Sequence, residues 1–97
     1  MEYEFDPAKS AANRDKHGMD FVTAQALWQS YGWVQPLPYL AEARWMRTGP
    51  IAGRLWSVVY TMRAGRIRLI SARRARPQEV KQYEDALRDK DGPAYQP

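Results

Sequence analysis

The chain contains no cysteine, which excludes disulfides, thiolate nucleophiles and the common zinc patterns. His17 is the only histidine, so a dedicated transition-metal site is not expected, and any chemistry should proceed without a metal or another cofactor. No apolar stretch reaches the roughly eighteen residues of a membrane-spanning helix. The opening Met1-Glu2-Tyr3-Glu4-Phe5-Asp6 has neither the basic nor the apolar part of a signal peptide, so a cytoplasmic setting is expected. A further absence is local: residues 43–78 hold nine arginines and not one Asp or Glu.

That gap makes the formal net charge of +4 misleading. The central window carries +9 and the two ends together carry −5, a segregation that points to a polyanionic partner, nucleic acid first. The 44% apolar and 12% aromatic content is that of a globular chain, and 97 residues suffice for one domain with one small core. The domain is expected to span residues 1–90, with 91–97, rich in Pro and Gly, as a flexible tail.

The densest basic stretch runs from Arg66 to Arg76, with five arginines in eleven positions. Its first half alternates as a strand does, placing Ile67, Leu69 and Ser71 on one face and Arg66, Arg68 and Ile70 on the other. Arg73, Arg74 and Arg76 then precede Pro77, a residue suited to open a helix. Guanidinium groups gathered at a strand end suit a bidentate anion such as phosphate.

Around this strand the spacing predicts an α+β fold. Asp6-Pro7 opens a helix over about residues 7–17 that closes at Gly18, with Lys9, Asn13, Lys16 and His17 on a polar stripe and Ala8, Ala11 and Ala12 opposite. Asp20 caps a second helix over about 21–30, carrying Phe21, Ala24, Leu27 and Trp28. Trp33 to Pro38 reads as a sheet edge or loop because of its prolines. Strands follow over Glu42 to Thr48, Leu55 to Met62 and from Arg66, joined by turns at 49–53 and 63–65 into an antiparallel meander of three to four strands. A last helix runs from Pro77 to about residue 90, docking Val80, Tyr83 and Leu87 and turning Glu79, Glu84, Asp85 and Asp89 outward.

Several short motifs in order resemble the BrnT toxins of bacterial type II toxin–antitoxin systems, small ribonucleases with a RelE-like fold. Phe5-Asp6-Pro7-Ala8-Lys9, Asn13 and Lys16-His17-Gly18 resemble the family's opening signature. Glu42-Ala43-Arg44 with Gly49 resembles its middle segment, and Val58 to Thr61, Arg68 to Ala75, Glu79 and Tyr83 its closing stretch. The resemblance covers about residues 4–84. Two segments depart from it: Val22-Thr23-Ala24-Gln25 stands where the family has acidic residues, and Pro36 to Leu40 where it has an acidic or histidine-bearing loop.

The resemblance implies an endoribonuclease that inhibits translation. It also implies a cognate antitoxin, a small DNA-binding protein of the BrnA type, which neutralises the toxin in a hetero-oligomer and alone brings it to operator DNA. Metal-free cleavage proceeds by attack of the ribose 2′-OH on phosphorus, and needs a base, an acid and cations for the charged transition state. Arg68, Arg73 and Arg74 are the candidates to hold the scissile phosphate, with Lys9 and Lys16 beside them. His17, whose type titrates near neutrality, is the first candidate for proton transfer, with a lysine, Tyr83 or Glu42 as alternatives. Arg44, Arg66, Arg76, Asn13 and Glu42 are the candidate RNA contacts. Two other readings use the same arginine surface: a non-catalytic nucleic-acid-binding module with Trp33, Trp45 or Trp56 as stacking platforms, and a protein-interaction subunit covered by an acidic partner.

Overall fold

The computed structural model describes residues 1–38 and 41–89, so the expected tail over 91–97 lies outside the described residues. The order is β1 (Tyr3–Glu4), α1 (Pro7–His17), a 3₁₀ helix (Thr23–Gln29), β2 (Trp33–Leu37), β3 (Arg44–Ile51), β4 (Arg54–Arg63), β5 (Arg66–Arg74) and α2 (Pro77–Arg88). The α+β class holds, but the described sheet has five strands in the order β1-β5-β4-β3-β2 and is mixed rather than a pure meander. The added strands are its edges. β1 is a two-residue parallel partner of β5, too short to show any periodicity, and β2 tolerates Pro36 because it lies at the opposite edge.

The expected 49–53 and 63–65 turns contract to Ala52-Gly53 and Ala64-Gly65, where both residues of each pair have positive φ, as a two-residue hairpin turn requires. Gly49 therefore stays within β3, where a Cβ would come within 2.8 Å of Leu27 Cδ1. The sheet and the 3₁₀ helix touch backbone to side chain at this point.

The second expected α-helix is corrected to a 3₁₀ helix. Phe21, Ala24 and Leu27 are spaced by three, and all three are fully buried, which is the seam of a helix with three residues per turn. Asp20 starts the segment, accepting from the Thr23 N–H at 2.7 Å. Arg47 completes it from the sheet, donating from Nη2 to the Ser30 carbonyl at 2.7 Å while its guanidinium lies over Trp28.

Pairing register separates the two faces of the sheet. On the core face Val58, Tyr60, Ile67, Leu69 and Ala72 pack with Met19, Phe21, Ala24 and Leu27. Edge-to-face rings extend this core from Tyr3 through Trp28 to Tyr60, and Trp45 stacks on Tyr60. The expected alternation of β5 fails at one point: a bulge opposite Val59/Tyr60 leaves Ile70 without a partner residue on β4. The phase shifts there, so Ala72 rather than Ser71 joins Ile67 and Leu69 in the core.

Helix α1 docks by its polar side, reversing the expectation for its alanines. Ala8, Ala11 and Ala12 are exposed, whereas Ser10 and Asn13 are buried. The reason is the edge of β5 beyond β1, where peptide groups need partners away from water. Asn13 acts there as a short strand substitute: its Nδ2 donates to the Ala72 carbonyl at 2.8 Å and to the Met19 carbonyl at 2.7 Å, and its Oδ1 accepts from the Ala72 N–H at 3.2 Å. Ser10 Oγ accepts from the Phe21 N–H.

Replacing Asn13 by Leu should therefore strand several buried backbone groups and lower the unfolding free energy in urea by about 3 kcal/mol. Hydrogen exchange of the Ala72 amide should accelerate with it. A loss well below 1 kcal/mol would contradict the edge-sealing role.

Candidate functional site

The arginine block of the sequence is largely neutralised in space. Because β1 lies beside β5, Glu2 and Glu4 meet Arg66 and Arg68: Arg68 Nη1 stands 2.9 Å from Glu4 Oε2, and Arg66 Nε 3.2 Å from Glu2 Oε1. Glu42, a candidate RNA contact, pairs with Arg44 and Arg63 at 3.5 Å each. Arg73 pairs with Glu79. Five of the nine arginines thus carry a carboxylate partner. Apart from the bidentate Arg73–Glu79 pair, these partly exposed pairs contribute little stability, but each engages a cation that a polyanion would otherwise meet. Arg54, Arg74 and Arg76 stay exposed at one end of the sheet, with the Arg74 guanidinium 5.7 Å from the Trp56 ring centre.

The three arginines expected around one phosphate are divided between the faces of β5. Arg74 pairs in register with Trp56 on the core face, whereas Arg68 and Arg73 share the α2 face with Thr61 and Ser57. Arg44 lies on the α2 face too, two residues from Met46, whose Sδ accepts from Arg73 Nη2.

Arg73 is further constrained. Its two terminal nitrogens donate to the two Glu79 oxygens at 2.8 and 2.7 Å. Glu79 Oε1 also accepts from the Arg76 N–H at 2.9 Å and from Ser57 Oγ at 2.9 Å, and Ser57 bonds Thr48. Burial works against the Glu79 carboxylate, but the bonds from Arg73, the Arg76 N–H and Ser57 outweigh it, and its pKa falls from 4.5 to about 2. The Arg73 guanidinium is held charged by the same bonds. Glu79 was expected to face outward; it is instead buried, because it closes the first turn of α2 as it neutralises Arg73.

Lys9, Lys16 and His17 come together as expected. With Ala12 and Asn13 they line one side of a cleft of about 250 Å³, and Ile70 and Ser71 of β5 line the other. Lys9, Lys16 and His17 are exposed, while Asn13 is buried at the cleft floor and bound to Ala72. Ile70 and Ser71 were absent from the sequence-based site, and the bulge that brings them to the strand edge has no signature in the residues themselves. No carboxylate among the described residues lines this cleft. Among the described residues, no group of three or more His, Asp and Glu is placed to hold a metal ion.

Tyr83 stands apart from this cluster. It is buried on α2, which packs on β2 and β3, whereas α1 packs on β5. Its ring lies 6.4 Å from that of Tyr31, whose hydroxyl donates to the Ala86 carbonyl, and burial raises the Tyr83 pKa above its ordinary value.

The Glu79 carboxylate ties its pKa to stability. A folded-state value of about 2 against 4.5 means that its contribution is complete above pH 4.5, shrinks as pH falls, and is gone below about 2. Glu79→Gln should lower the unfolding free energy by about 2 kcal/mol at pH 7, reduced from the full linkage value because Arg73 reaches solvent. The gap between parent and variant in urea titrations should narrow below pH 4.5. An equal gap at pH 7 and pH 3 would refute the linkage.

Residues 5–79 match the sequence profile of a family described as ribonuclease toxin, BrnT, of type II toxin–antitoxin systems. No curated protein matches the chain.

Proposed function

Because the chain belongs to the BrnT family of ribonuclease toxins from type II toxin–antitoxin systems, we propose that it cleaves RNA in the cleft between α1 and the bulged edge of β5, and that it does so without a metal. The observation that carries this reading is the meeting of Lys9, Lys16 and His17 across from Ile70 and Ser71. Two ammonium groups supply positive charge for a pentacoordinate phosphorane. One imidazole supplies a proton donor or acceptor within the same cleft. A divalent ion would meet only amines, an imidazole, an amide and a hydroxyl there, with no anionic ligand.

In this mechanism His17 takes the 2′-OH proton as the 2′-oxygen bonds to phosphorus, the imidazolium so formed returns a proton to the 5′-oxygen as the P–O5′ bond breaks, and the lysines hold the non-bridging oxygens. Arg68 shares its guanidinium between Glu4, bonded through Nη1, and any phosphate it meets, which makes it a weaker contact than a free arginine. Arg73 is assigned a positioning role, since both of its terminal nitrogens are taken by Glu79. Cleavage of messenger RNA by this route would inhibit translation.

A type II system supplies a protein antitoxin. We assign it to the BrnA type, DNA-binding and responsible for any contact with operator DNA. The exposed Arg54, Arg74 and Arg76 offer an acidic segment of that partner a surface outside the cleft.

The purified chain, incubated with a defined RNA and excess chelator, should leave 2′,3′-cyclic phosphate ends. His17→Gln should reduce the rate by about a hundredfold or more with an unchanged circular dichroism spectrum, since His17 is exposed. Cleavage abolished by chelator, or a His17→Gln variant as fast as the parent, would overturn this mechanism.

A further inference from the structure

A second cleft, also of about 250 Å³, opens between β2 and the first turns of α2. Trp33 and Gln35 of β2 form one wall, and Arg76, Gln78, Glu79 and Gln82 form the other. We propose that it is a nucleobase subsite, holding one base of the RNA a few nucleotides from the cut, with adenine the best match. This inference rests on the reading of the chain as a protein that acts on RNA.

The lining carries the argument. Trp28, Trp45 and Trp56 are engaged in ring or cation contacts in the core, whereas the half-buried Trp33 lines an open cleft. An indole wall stacks any unpaired base. Three carboxamides, from Gln35, Gln78 and Gln82, line it from two separate elements, and each offers the donor and acceptor that can pair with adenine's amino group and ring nitrogen. Arg76 supplies a cation at the rim for the attached phosphate. Glu79, fixed by Arg73 and Ser57, gives the wall a rigid acceptor for an exocyclic amine. The volume falls below the ~300–1,000 Å³ of sites for drug-sized ligands, which suits one ring system rather than a whole nucleotide.

The position in the sheet agrees. Trp33 pairs with Thr48, Thr48 with Ser57, and Ser57 with Arg73, so the indole stands on the α2 face, the same face as Arg44 and Arg68. β2 lies three strand spacings from β5, roughly 14 Å at the usual separation. RNA cut at the β5 edge would cross that face to reach the indole.

The test uses the full chain and short 2′-O-methyl RNAs, which lack the attacking hydroxyl, each carrying 2-aminopurine at one position. One position should be quenched on binding. Trp33→Leu should abolish that quenching and weaken binding roughly tenfold, and Trp33→Phe should restore most of the affinity. Should Trp33→Leu fail to fold, the pair Gln78→Ala and Gln82→Ala, both at exposed helical positions, should instead reduce the preference for adenine over uracil at that position about tenfold. Quenching at no position, or quenching and preference unchanged in these variants, would overturn the subsite. Cleavage of ordinary RNA without a Trp33-dependent signal would reject the subsite and keep the ribonuclease mechanism; a Trp33-dependent signal in a chain that does not cleave would do the reverse.

Discussion

The bidentate bond between Arg73 and Glu79 joins the two halves of the molecule. The core face of the sheet is sealed mainly by aromatic and aliphatic packing, with Arg47 bonding the end of the 3₁₀ helix. The opposite face presents Thr48, Ser57 and Arg73 beneath α2, and polar groups there are tolerable only if satisfied. Glu79 bonds Ser57 and Arg73 and closes its own helix turn with one carboxylate. The same residue therefore starts α2, seats it on the sheet and forms part of the wall of the Trp33 cleft. A helix held mainly by apolar contacts could slide; one pinned by a two-pronged bond has a fixed register.

A second constraint is the open edge of β5. A small sheet with an unpaired edge invites association with other strands, and this chain covers that edge with two unlike devices. β1 supplies real strand pairing at Ile67 and Arg68, and Asn13 supplies an amide in its place at Ala72. Between these two seals lies Ile70, the bulged residue, beside the cleft that holds Lys9, Lys16 and His17. Bulges re-aim side chains, and the position of the cleft follows from the gap between the seals.

This explains what could and could not be read from the residues. The caps of α1 at Asp6-Pro7 and Gly18, the strand pattern of residues 55–62 and the joint face of Lys9, Lys16 and His17 depend on local spacing, and all were legible. Three features depend on partners distant in sequence and were not. The 3₁₀ helix needs Arg47 to take the Ser30 carbonyl, the bulge needs β4 opposite it, and the inward turn of Glu79 needs Arg73 beneath it. The +9 window pointed to a polyanionic partner but overstated the unpaired charge for the same reason. Its acids lie outside it in sequence, yet Glu2, Glu4, Glu42 and Glu79 return to it in space.

The consequence for a polyanionic substrate is a division of labour among cations. Affinity for phosphates comes from releasing counterions, and an arginine already neutralised by a carboxylate has few to release. Arg66, Arg68 and Arg73, each already beside a carboxylate, would therefore add less to RNA affinity than their number suggests. Lys9, Lys16, Arg54, Arg74 and Arg76 are exposed, and in the proposed function they would supply much of the non-specific attraction. These residues flank the bulged edge of β5 and the end of the sheet rather than covering one broad face. In the proposed binding mode a single strand starts at the β5 edge and crosses the α2 face, and a single strand is also the form of RNA whose bases are free to be stacked and read.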